Sequence, residues 1–219
     1  AIINLQTLDF KKLIASLGGT VKIAEVISET SKIDEIEYNL ENNLRLPSEN
    51  KIRYAISSFD KNLLSFTESY LKGRFKREKI KATYKKPSRK FTHQVAPSKL
   101  VKREIIETGF ELILYKDYIA QTVAVFNPEE HEKRDLGKPV KDYLKAMSIR
   151  LAKILINLSQ SKENSLLLDP FCGTGVILQE ALLGNINVIG VDIEKESADA
   201  SRKNLEWLGK NYKIINKWK

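Results

Sequence analysis

The sequence predicts a mixed α/β fold in which an α+β region precedes the start of a parallel sheet. In the last third of the chain, the apolar segments LLLD and NVIGVD alternate with helix-like segments, which is typical of a parallel sheet covered by helices. The preceding region mixes helices and strands around a predicted hairpin, FELILYKDYIAQTVAVF. Hydrophobic residues make up 42% of the 219 residues, which is enough for packed cores.

Local patterns predict the elements of the first region in order. FKKLIASL has the apolar spacing of a helix, whereas TVKIAEVIS and KIRYAISSF alternate as strands do. Asp60 is placed to cap the helix that follows it. A further helix is predicted from Ser98 to Gly109, and the hairpin then turns around the residues KDY.

The second region begins with a polar segment, NPEEHEKRDLGKPVKD, which predicts a boundary or linker. Arg134 and Asp135 within it form a candidate salt bridge at the domain junction. DYLKAMSIRLAKILINLS then has the pattern of an amphipathic helix. The remaining chain predicts strand LLLD, a glycine turn, helix VILQEALL, strand NVIGVD, helix KESADASRKNLEWLG and the start of a third strand, YKII.

Positive charge is concentrated in one block of the chain. The formal net charge is +9, and thirteen Lys and Arg residues lie between Lys72 and Glu104, opposed by Glu78 and Glu104. Such a block is typical of a surface that binds a polyanion, although a solvated basic face has the same composition. The candidate phosphate contacts are Lys85, Lys86, Arg89, Lys90, Lys99, Lys102 and Arg103.

Three ring-bearing residues of this basic block are candidates for contacts with a nucleic acid. Tyr84 and Phe91 are interleaved with lysines and are candidates either for base stacking or for core packing. His93 is a candidate for a phosphate or base contact, and equally for an ordinary surface residue. Both alternatives remain open for each residue at this point.

Composition argues against several other classes of protein. No apolar run reaches the ~18 to 20 residues of a membrane span, so no membrane association is predicted. The first residues, AIINLQTLDF, lack the pattern of a signal peptide. A single cysteine, Cys172, excludes an internal disulfide and a multi-cysteine metal site, and no metal ligand is predicted. The expectation is a cytoplasmic protein.

The glycine turn in LLLDPFCGTGVILQEA predicts a cofactor site. Gly173 and Gly175 follow a buried strand, where the backbone must approach a ligand closely. The third glycine of a dinucleotide turn and the Gly-Lys-Ser/Thr of a phosphate loop are both missing, which disfavours a phosphate ligand. Asp169 instead suits a cation such as the sulfonium of S-adenosylmethionine, and Asp192 is a candidate acceptor for its ribose hydroxyls. The alternative is that both acids only cap strand ends.

DPFCGTGVILQEA followed by VIGVDI resembles the cofactor-binding start of class I methyltransferases that act on exocyclic amines. Within these, the chain is most similar to THUMP-containing RNA methyltransferases of the tRNA guanosine-N2 type. LGGTVKIAEVI, KFTHQVAPSKLVKREIIETGFELILY, RDLGKP and LAKILINLS resemble further segments of that family. The resemblance implies a partial ferredoxin-like region at 1–50, a THUMP-like RNA-binding domain at 51–130, a linker with an amphipathic helix at 131–165, and an incomplete Rossmann-like domain at 166–219.

The resemblance also implies a function, a tRNA (guanine-N2) methyltransferase that uses S-adenosyl-L-methionine and binds tRNA. The cofactor contacts that it implies are Asp169, Pro170, Phe171, Cys172, Gly173, Thr174, Gly175, Asp192 and Ile193. Cys172 is expected to line the turn rather than act as a nucleophile. Glu180 is expected to make a local helix or turn contact rather than to carry a proton.

The catalytic Asp/Asn-Pro-Pro-Tyr/Phe motif of this family does not occur in the sequence. The nearest segment, NPEE at 127–130, lacks the second proline and the aromatic ring. No catalytic residue is therefore predicted, and the expectation is a truncated, inactive part of a methyltransferase whose third strand is cut at Lys219. Two alternatives stay open: a non-catalytic tRNA-binding module with a degenerate cofactor fold, and a DNA amino-methyltransferase.

Overall fold

The computed structural model describes residues 9–30, 32–49, 51–87, 93–102, 104–142, 147–214 and 218. The chain forms two compact units. Unit 1 comprises Ala1–Lys11 and Val21–Asn127, and unit 2 comprises Lys12–Thr20 and Pro128–Lys219. Within the described ranges, no helix combines the length and the apolar character that crossing a bilayer requires.

The fold is mixed α/β, as the sequence predicts. In chain order the described elements are α1 (Phe10–Ser16), β1 (Lys22–Glu29), α2 (Ile33–Asn43), β2 (Lys51–Ser58), α3 (Lys61–Arg77), β3 (Lys81–Tyr84), α4 (Pro97–Lys102), β4 (Gly109–Tyr115), β5 (Tyr118–Val125), α5 (Pro128–Gly137), α6 (Ile149–Leu158), β6 (Leu166–Asp169), α7 (Val176–Leu183), β7 (Asn187–Gly190) and α8 (Lys195–Asn211).

Unit 1 is built on a five-stranded sheet with the order β1-β5-β4-β2-β3. β2 runs parallel to both of its neighbours, β3 and β4, whereas β5 is antiparallel to β4 and to β1. The predicted hairpin is confirmed as β4–β5. The Asp60 cap is also confirmed, because its Oδ1 accepts hydrogen bonds from the amides of Asn62 at 2.8 Å and Leu63 at 2.9 Å. These contacts fix the start of α3 directly after β2.

An aromatic group forms part of the unit 1 core. The Tyr54 ring stacks on those of Tyr84 at 5.0 Å and Phe110 at 5.7 Å, and meets Phe75 edge-on at 5.2 Å. Burial raises the pKa of Tyr54 to about 12. Tyr84 therefore packs against the core, which is the second of the two alternatives that its sequence left open. Phe91 lies outside the described residues.

A buried carboxylate lies in the middle of the same sheet. Glu111 on β4 is fully buried and accepts hydrogen bonds from Lys22 Nζ at 2.6 Å, Ser57 Oγ at 2.6 Å and Thr122 Oγ1 at 2.7 Å. These donors belong to β1, β2 and β5 respectively. A single side chain thus connects four of the five strands.

Two predictions for the elements are wrong and have local causes. The helix expected to reach Gly109 ends at Lys102, because Glu104 adopts φ 49° and the Ile105 amide closes the helix by donating to the Leu100 carbonyl. The polar segment expected to be a boundary or linker does begin where the chain passes from unit 1 to unit 2, after Asn127. It is not an irregular linker, because it contains α5, which begins at Pro128 and has acidic residues in its first turn. Both features favour a helix start in spite of the low hydrophobicity.

Other elements differ from the predictions in extent. α2 and β3 were not predicted, and α6 begins only at Ile149, capped by Ser148, while 143–146 of the expected helix lie outside the described residues. Residues 212–214 of the expected third strand form no strand, and Ile215 also lies outside the described residues. Trp218 does form an isolated parallel bridge to Val188.

Unit 2 contains the start of the predicted parallel sheet. β6 and β7 pair in parallel from Leu166 opposite Asn187 to Asp169 opposite Gly190. α7 connects the two strands, and α7 and α8 contribute Leu178 and Leu208 to their apolar core. Because parallel strands end on the same edge of a sheet, the residues that follow β6 and β7 come together there.

Candidate cofactor site

The turns after β6 and β7 lie side by side. The Val191 amide donates to the Asp169 carbonyl at 2.9 Å, and the Cys172 amide donates to the Val191 carbonyl at 2.9 Å. These bonds continue the parallel pairing past the last strand residues. They align the glycine turn, 170–175, with the segment that begins at Val191.

The two glycines of the turn adopt left-handed backbone conformations but have different surroundings. Gly173 has φ +51° and Gly175 has φ +80°, which side chains with a Cβ adopt only at a cost. A Cβ at Gly173 would have no neighbour within 4 Å, whereas at Gly175 it would lie 2.4 Å from Ser201 Oγ. Gly175 is thus packed closely against α8, and Gly173 borders open space. That space allows a ligand to approach the Gly173 backbone.

The Asp192 carboxylate holds both turns at once. Its Oδ2 accepts a hydrogen bond from the Gly173 amide at 2.8 Å, and its Oδ1 accepts one from the Glu194 amide at 3.0 Å. The acid predicted to bind ribose is therefore fixed at the end of β7, next to the open face of Gly173. These local contacts are those of the alternative in which the acid caps a strand end.

Asp169 adds a second carboxylate at this edge. Only 8% of the residue is exposed, and its Oδ1 accepts a hydrogen bond from the Phe171 amide at 3.1 Å. Burial raises the pKa of Asp169 and the charge of Asp192 raises it further, although the Phe171 hydrogen bond acts in the opposite direction. A carboxylate whose ionisation is disfavoured by burial and by a neighbouring acid belongs to a site whose negative charge a cation would neutralise. The residues present therefore fit a cationic ligand such as a sulfonium.

The other predicted cofactor residues divide into exposed and buried ones. Phe171 is 85% exposed and Ile193 is 99% exposed, so each turn presents an apolar side chain, and Pro170 is exposed as well. Cys172 is buried in the unit 2 core, and this burial raises the pKa of its thiol. A raised thiol pKa disfavours the thiolate, which agrees with a structural role for this cysteine.

Asn204 supports the glycine turn and was not predicted. It is fully buried on α8, and its Nδ2 donates to the Thr174 carbonyl at 2.9 Å and to the Val140 carbonyl at 3.0 Å. Its Oδ1 accepts from the Val140 amide at 3.0 Å. Asn204 therefore connects the turn to the segment after α5. An asparagine on the apolar side of KNLEWL is the sequence signal that identifies it.

Glu180 makes long-range ion pairs, which corrects two predictions. Its carboxylate accepts from Arg134 Nε at 3.2 Å and from the Arg134 terminal nitrogen at 3.1 and 3.2 Å, and Lys153 Nζ lies 3.5 Å away. Glu180 is therefore not a local helix contact. Arg134 does not pair with Asp135, because Asp135 binds Lys138 at 2.8 Å. The buried ion pairs connect α5, α6 and α7.

The basic block of unit 1 is only partly described. Arg89, Lys90 and Arg103 lie outside the described residues. Lys85 lies beside β2, because its backbone amide donates to the Tyr54 carbonyl at 2.7 Å. The side chain of Lys99 donates from Nζ to the Lys86 carbonyl. Lys86 and Lys102 are exposed. The four described lysines thus lie at the surface of unit 1 or partly buried in it.

Residues 11–203 match the N6_N4_Mtase family model, whose description is DNA methylase. The chain belongs to this methyltransferase family. S-adenosyl-L-methionine is the cofactor of the family, which confirms the cofactor prediction.

The chain is also similar to individual methyltransferases. It is 37% identical over 91 residues to the tRNA (guanine(10)-N2)-dimethyltransferase of Methanothermobacter thermautotrophicus, a match that covers 42% of this chain and 27% of that protein. It is 36% identical over 90 residues to the orphan methyltransferase M.BamHII of Bacillus amyloliquefaciens, covering 41% of this chain and 32% of that protein. The matches thus span a third or less of either relative.

Among solved structures, the chain is similar to TrmN from Thermus thermophilus. The identity is 12%, the TM-score is 0.46, and the match covers 91% of this chain and 55% of TrmN.

Proposed function

We propose that this chain is the RNA-binding region and the cofactor-binding start of an S-adenosylmethionine-dependent tRNA (guanine-N2) methyltransferase. The observation that carries the proposal is the edge of unit 2 where Asp169, Gly173 and Asp192 meet. A partly buried pair of carboxylates beside an open backbone suits a ligand that carries positive charge. The cofactor, when bound, supplies the methyl group as an electrophile on its sulfonium.

Each residue at this edge has an assigned role in binding. Asp192 accepts from the ribose hydroxyls, and Asp169 provides negative charge for the cationic part of the ligand. Gly173 leaves room for the ligand against the backbone, and Gly175 keeps the turn packed on α8. The exposed side chains of Phe171 and Ile193 supply apolar surface for the adenosine. Pro170, Cys172 and Thr174 shape the turn, and no catalytic residue is assigned in this chain.

Unit 1 is assigned to tRNA, and the basic block supports this role. Phosphate contacts come from Lys85, Lys86, Arg89, Lys90, Lys99, Lys102 and Arg103. The similarity to a tRNA-modifying relative favours tRNA as the substrate. In this proposal a partial ferredoxin-like region at 1–50 and a THUMP-like domain at 51–130 precede the linker region at 131–165 and the Rossmann-like start at 166–219. The protein acts in the cytoplasm.

A DNA amino-methyltransferase is the second candidate. It is favoured by the description of the family as DNA methylase and by the similarity to M.BamHII. The cofactor edge is the same in both candidates, since both transfer a methyl group to an exocyclic amine. The two candidates differ in the nucleic acid that unit 1 binds.

Cofactor binding is tested by titrating the chain with S-adenosylhomocysteine in a calorimeter. The unmodified chain should bind, and Gly173→Ala and Asp192→Asn should each weaken binding by roughly tenfold or more, because one fills the ligand space and the other removes a charge. Glu206→Gln, on the exposed side of α8, is the matched control and should bind normally. Absence of binding to the unmodified chain, or equal affinity for Gly173→Ala, contradicts the assignment.

The nucleic-acid partner is tested by filter binding of tRNA and of duplex DNA at the same salt concentration. Replacing Lys85, Lys86, Lys99 and Lys102 by Gln should weaken tRNA binding and flatten its salt dependence, by up to about 0.9 in slope for each phosphate that a removed lysine had neutralised. Lys203→Gln together with Lys210→Gln on α8 is the control. Equal affinity of the unmodified chain for both nucleic acids would favour the DNA candidate.

A further inference from the structure

A groove runs between α2 and α3 on the surface of unit 1, and we call it the α2–α3 groove. Its volume is about 570 Å³, which lies within the range of about 300–1,000 Å³ that is typical of binding sites. α2 contributes Glu37, Tyr38 and Glu41 to the lining, and α3 contributes Tyr70, Gly73 and Arg77. Of the described residues that line the groove, Arg77 alone carries positive charge.

Aromatic rings supply the apolar part of the groove. Tyr38 on α2 is 69% exposed, so one face of its ring is open. On α3 the rings of Phe66 and Tyr70 are stacked, with centroids 6.4 Å apart and an interplanar angle of 22°. The Tyr70 hydroxyl donates a hydrogen bond to the Glu41 carboxylate, which fixes this ring between the two helices. The groove is therefore bordered by aromatic rings from both helices.

Gly73 gives the groove its depth. It lies in the interior of α3, where glycine destabilises a helix relative to alanine. Apart from its chain neighbours, a Cβ at Gly73 would have among the described side chains only Arg77 Nη1 within 4 Å, at a distance of 3.9 Å. Packing inside unit 1 therefore does not require a glycine here. The missing side chain instead leaves space for a residue from outside.

The charge of α2 is opposite to that of the chain as a whole. The helix contains four acidic residues and no Lys or Arg, whereas the formal net charge of the chain is +9. Glu41 already accepts from Arg77 Nη2 at 3.2 Å, and Glu35 pairs with Lys32 at 3.0 Å. Within the described part of the chain, Glu37 has no ion pair. An uncompensated carboxylate thus lies next to the exposed ring of Tyr38.

A carboxylate beside aromatic rings suits the side chain of arginine. The planar guanidinium pairs with a carboxylate through two hydrogen bonds and stacks on aromatic faces. A nucleic acid is disfavoured, because Glu37 and Glu41 would repel its phosphates. A groove between two helices fits a third helix, and the space at Gly73 lets that helix approach closely.

We propose that the α2–α3 groove docks a partner protein through a helix that presents an arginine to Glu37 and Tyr38 and packs over Gly73. The partner segment is basic and amphipathic, which complements the acidic and aromatic groove. This surface uses neither the lysines assigned to tRNA nor the cofactor edge of unit 2. The inference therefore goes beyond the proposed function.

The experiment uses a fluorescein-labelled, alanine-rich peptide of about 16 residues, which is long enough to form a helix. Arginine at every fourth position places the guanidinium groups on one face. In the matched peptide each arginine is replaced by citrulline, which has the same shape and no charge. Fluorescence anisotropy should show roughly tenfold tighter binding of the arginine peptide to the RNA-free chain, because hydrogen bonds to charged groups are the stronger ones. Nonspecific attraction does not explain such binding, since chain and peptide are both positively charged.

Variants of the chain locate the bound peptide. Glu37→Gln and Tyr38→Ala should each weaken binding by roughly tenfold, because one removes the charge and the other the ring. Asp34→Asn removes a negative charge from α2 outside the groove and should bind the peptide within about twofold of the unmodified chain.

Gly73→Met separates occlusion of the groove from misfolding. Methionine forms helices better than glycine, so this variant should have a raised melting temperature in circular dichroism. Its side chain should nevertheless fill the groove and abolish peptide binding. A gain in stability together with a loss of binding cannot arise from an unfolded chain.

The inference is wrong if the arginine peptide does not bind, if the citrulline peptide binds equally well, or if Gly73→Met leaves binding unchanged. Sedimentation velocity tests a second copy as the occupant: self-association of the unmodified chain that Glu37→Gln abolishes would replace the partner by another copy. Binding of tRNA and of S-adenosylhomocysteine should be unchanged in Gly73→Met, which keeps this test separate from the proposed function. Weaker tRNA binding by this variant would assign the groove to the nucleic-acid surface and overturn the inference.

Discussion

Replacement of Gly175 by alanine should destabilise unit 2 through two separate effects, backbone strain and crowding. The first part is backbone strain, because alanine at φ +80° costs about 1–2 kcal/mol. The second is crowding, because the new Cβ would lie 2.4 Å from Ser201 Oγ and 3.3 Å from Ser201 Cβ. Overpacking of this kind costs about 1–3 kcal/mol, so the total expected loss is about 2–5 kcal/mol.

The assay is urea unfolding followed by tryptophan fluorescence. Both tryptophans, Trp207 and Trp218, lie in unit 2, so the signal reports the unit that contains the turn. Gly173→Ala is the matched control, since φ is also positive there but the added Cβ would meet nothing within 4 Å. It should show only the strain of about 1–2 kcal/mol.

A double variant isolates the crowding. Adding Ser201→Ala to Gly175→Ala removes the hydroxyl at 2.4 Å and should recover most of the crowding cost, leaving the backbone strain. The two substitutions should therefore be strongly non-additive. Equal destabilisation by Gly175→Ala and Gly173→Ala, or strict additivity in the double variant, would show that crowding against Ser201 does not contribute.

Three further predictions concern side chains of both units. Glu180→Gln should destabilise unit 2 by about 3–5 kcal/mol in urea unfolding, because it leaves buried Arg134 and Lys153 without their carboxylate; a loss below about 1 kcal/mol would contradict a buried pair. Asp169→Asn should stabilise the ligand-free chain at neutral pH, because burial raises the pKa of Asp169 and ionisation above that pKa favours unfolding. This gain in stability should vanish in melting curves recorded below pH 3.8, the ordinary pKa of an aspartate side chain. A constant gain at all pH values would exclude the ionisation of Asp169 as its cause. Asp60→Ala should lower the stability of unit 1 by about 1 kcal/mol in circular dichroism while the tryptophan signal stays unchanged, and a change in that signal would disprove a local cap.

The features that were predicted correctly from the sequence depend on residues that are close together in the chain. The cap at Asp60 and the glycine turn at 170–175 are encoded within a few positions, as is the alternation of β4 and β5. The position of Asp169 and Asp192 on one edge also followed from the pattern, because parallel strands end together. Local encoding explains why these predictions are correct in the structure.

Features that depend on distant pairing were missed. Glu180 meets Arg134 across 46 positions, and Asn204 meets Val140 across 64. The rings of Phe59, His93 and Tyr115 also come together from distant positions in the chain. No periodicity in the sequence reports such contacts, since they arise only when the elements pack. α5 was missed for a different reason: its polar composition is that of a loop, and its helix signals lie in Pro128 and two acids alone.

The carboxylate of Glu111 has a consequence for how unit 1 reaches its native arrangement. Its three donors sit on three separate segments of the chain, and they converge only when the strands are arranged β1-β5-β4-β2. A sheet with another strand order would separate Glu111 from these donors and leave an unsatisfied negative charge in an apolar interior. The cost of such a charge is several kcal/mol. Glu111 therefore favours the native strand order over compact sheets in which other strands are neighbours.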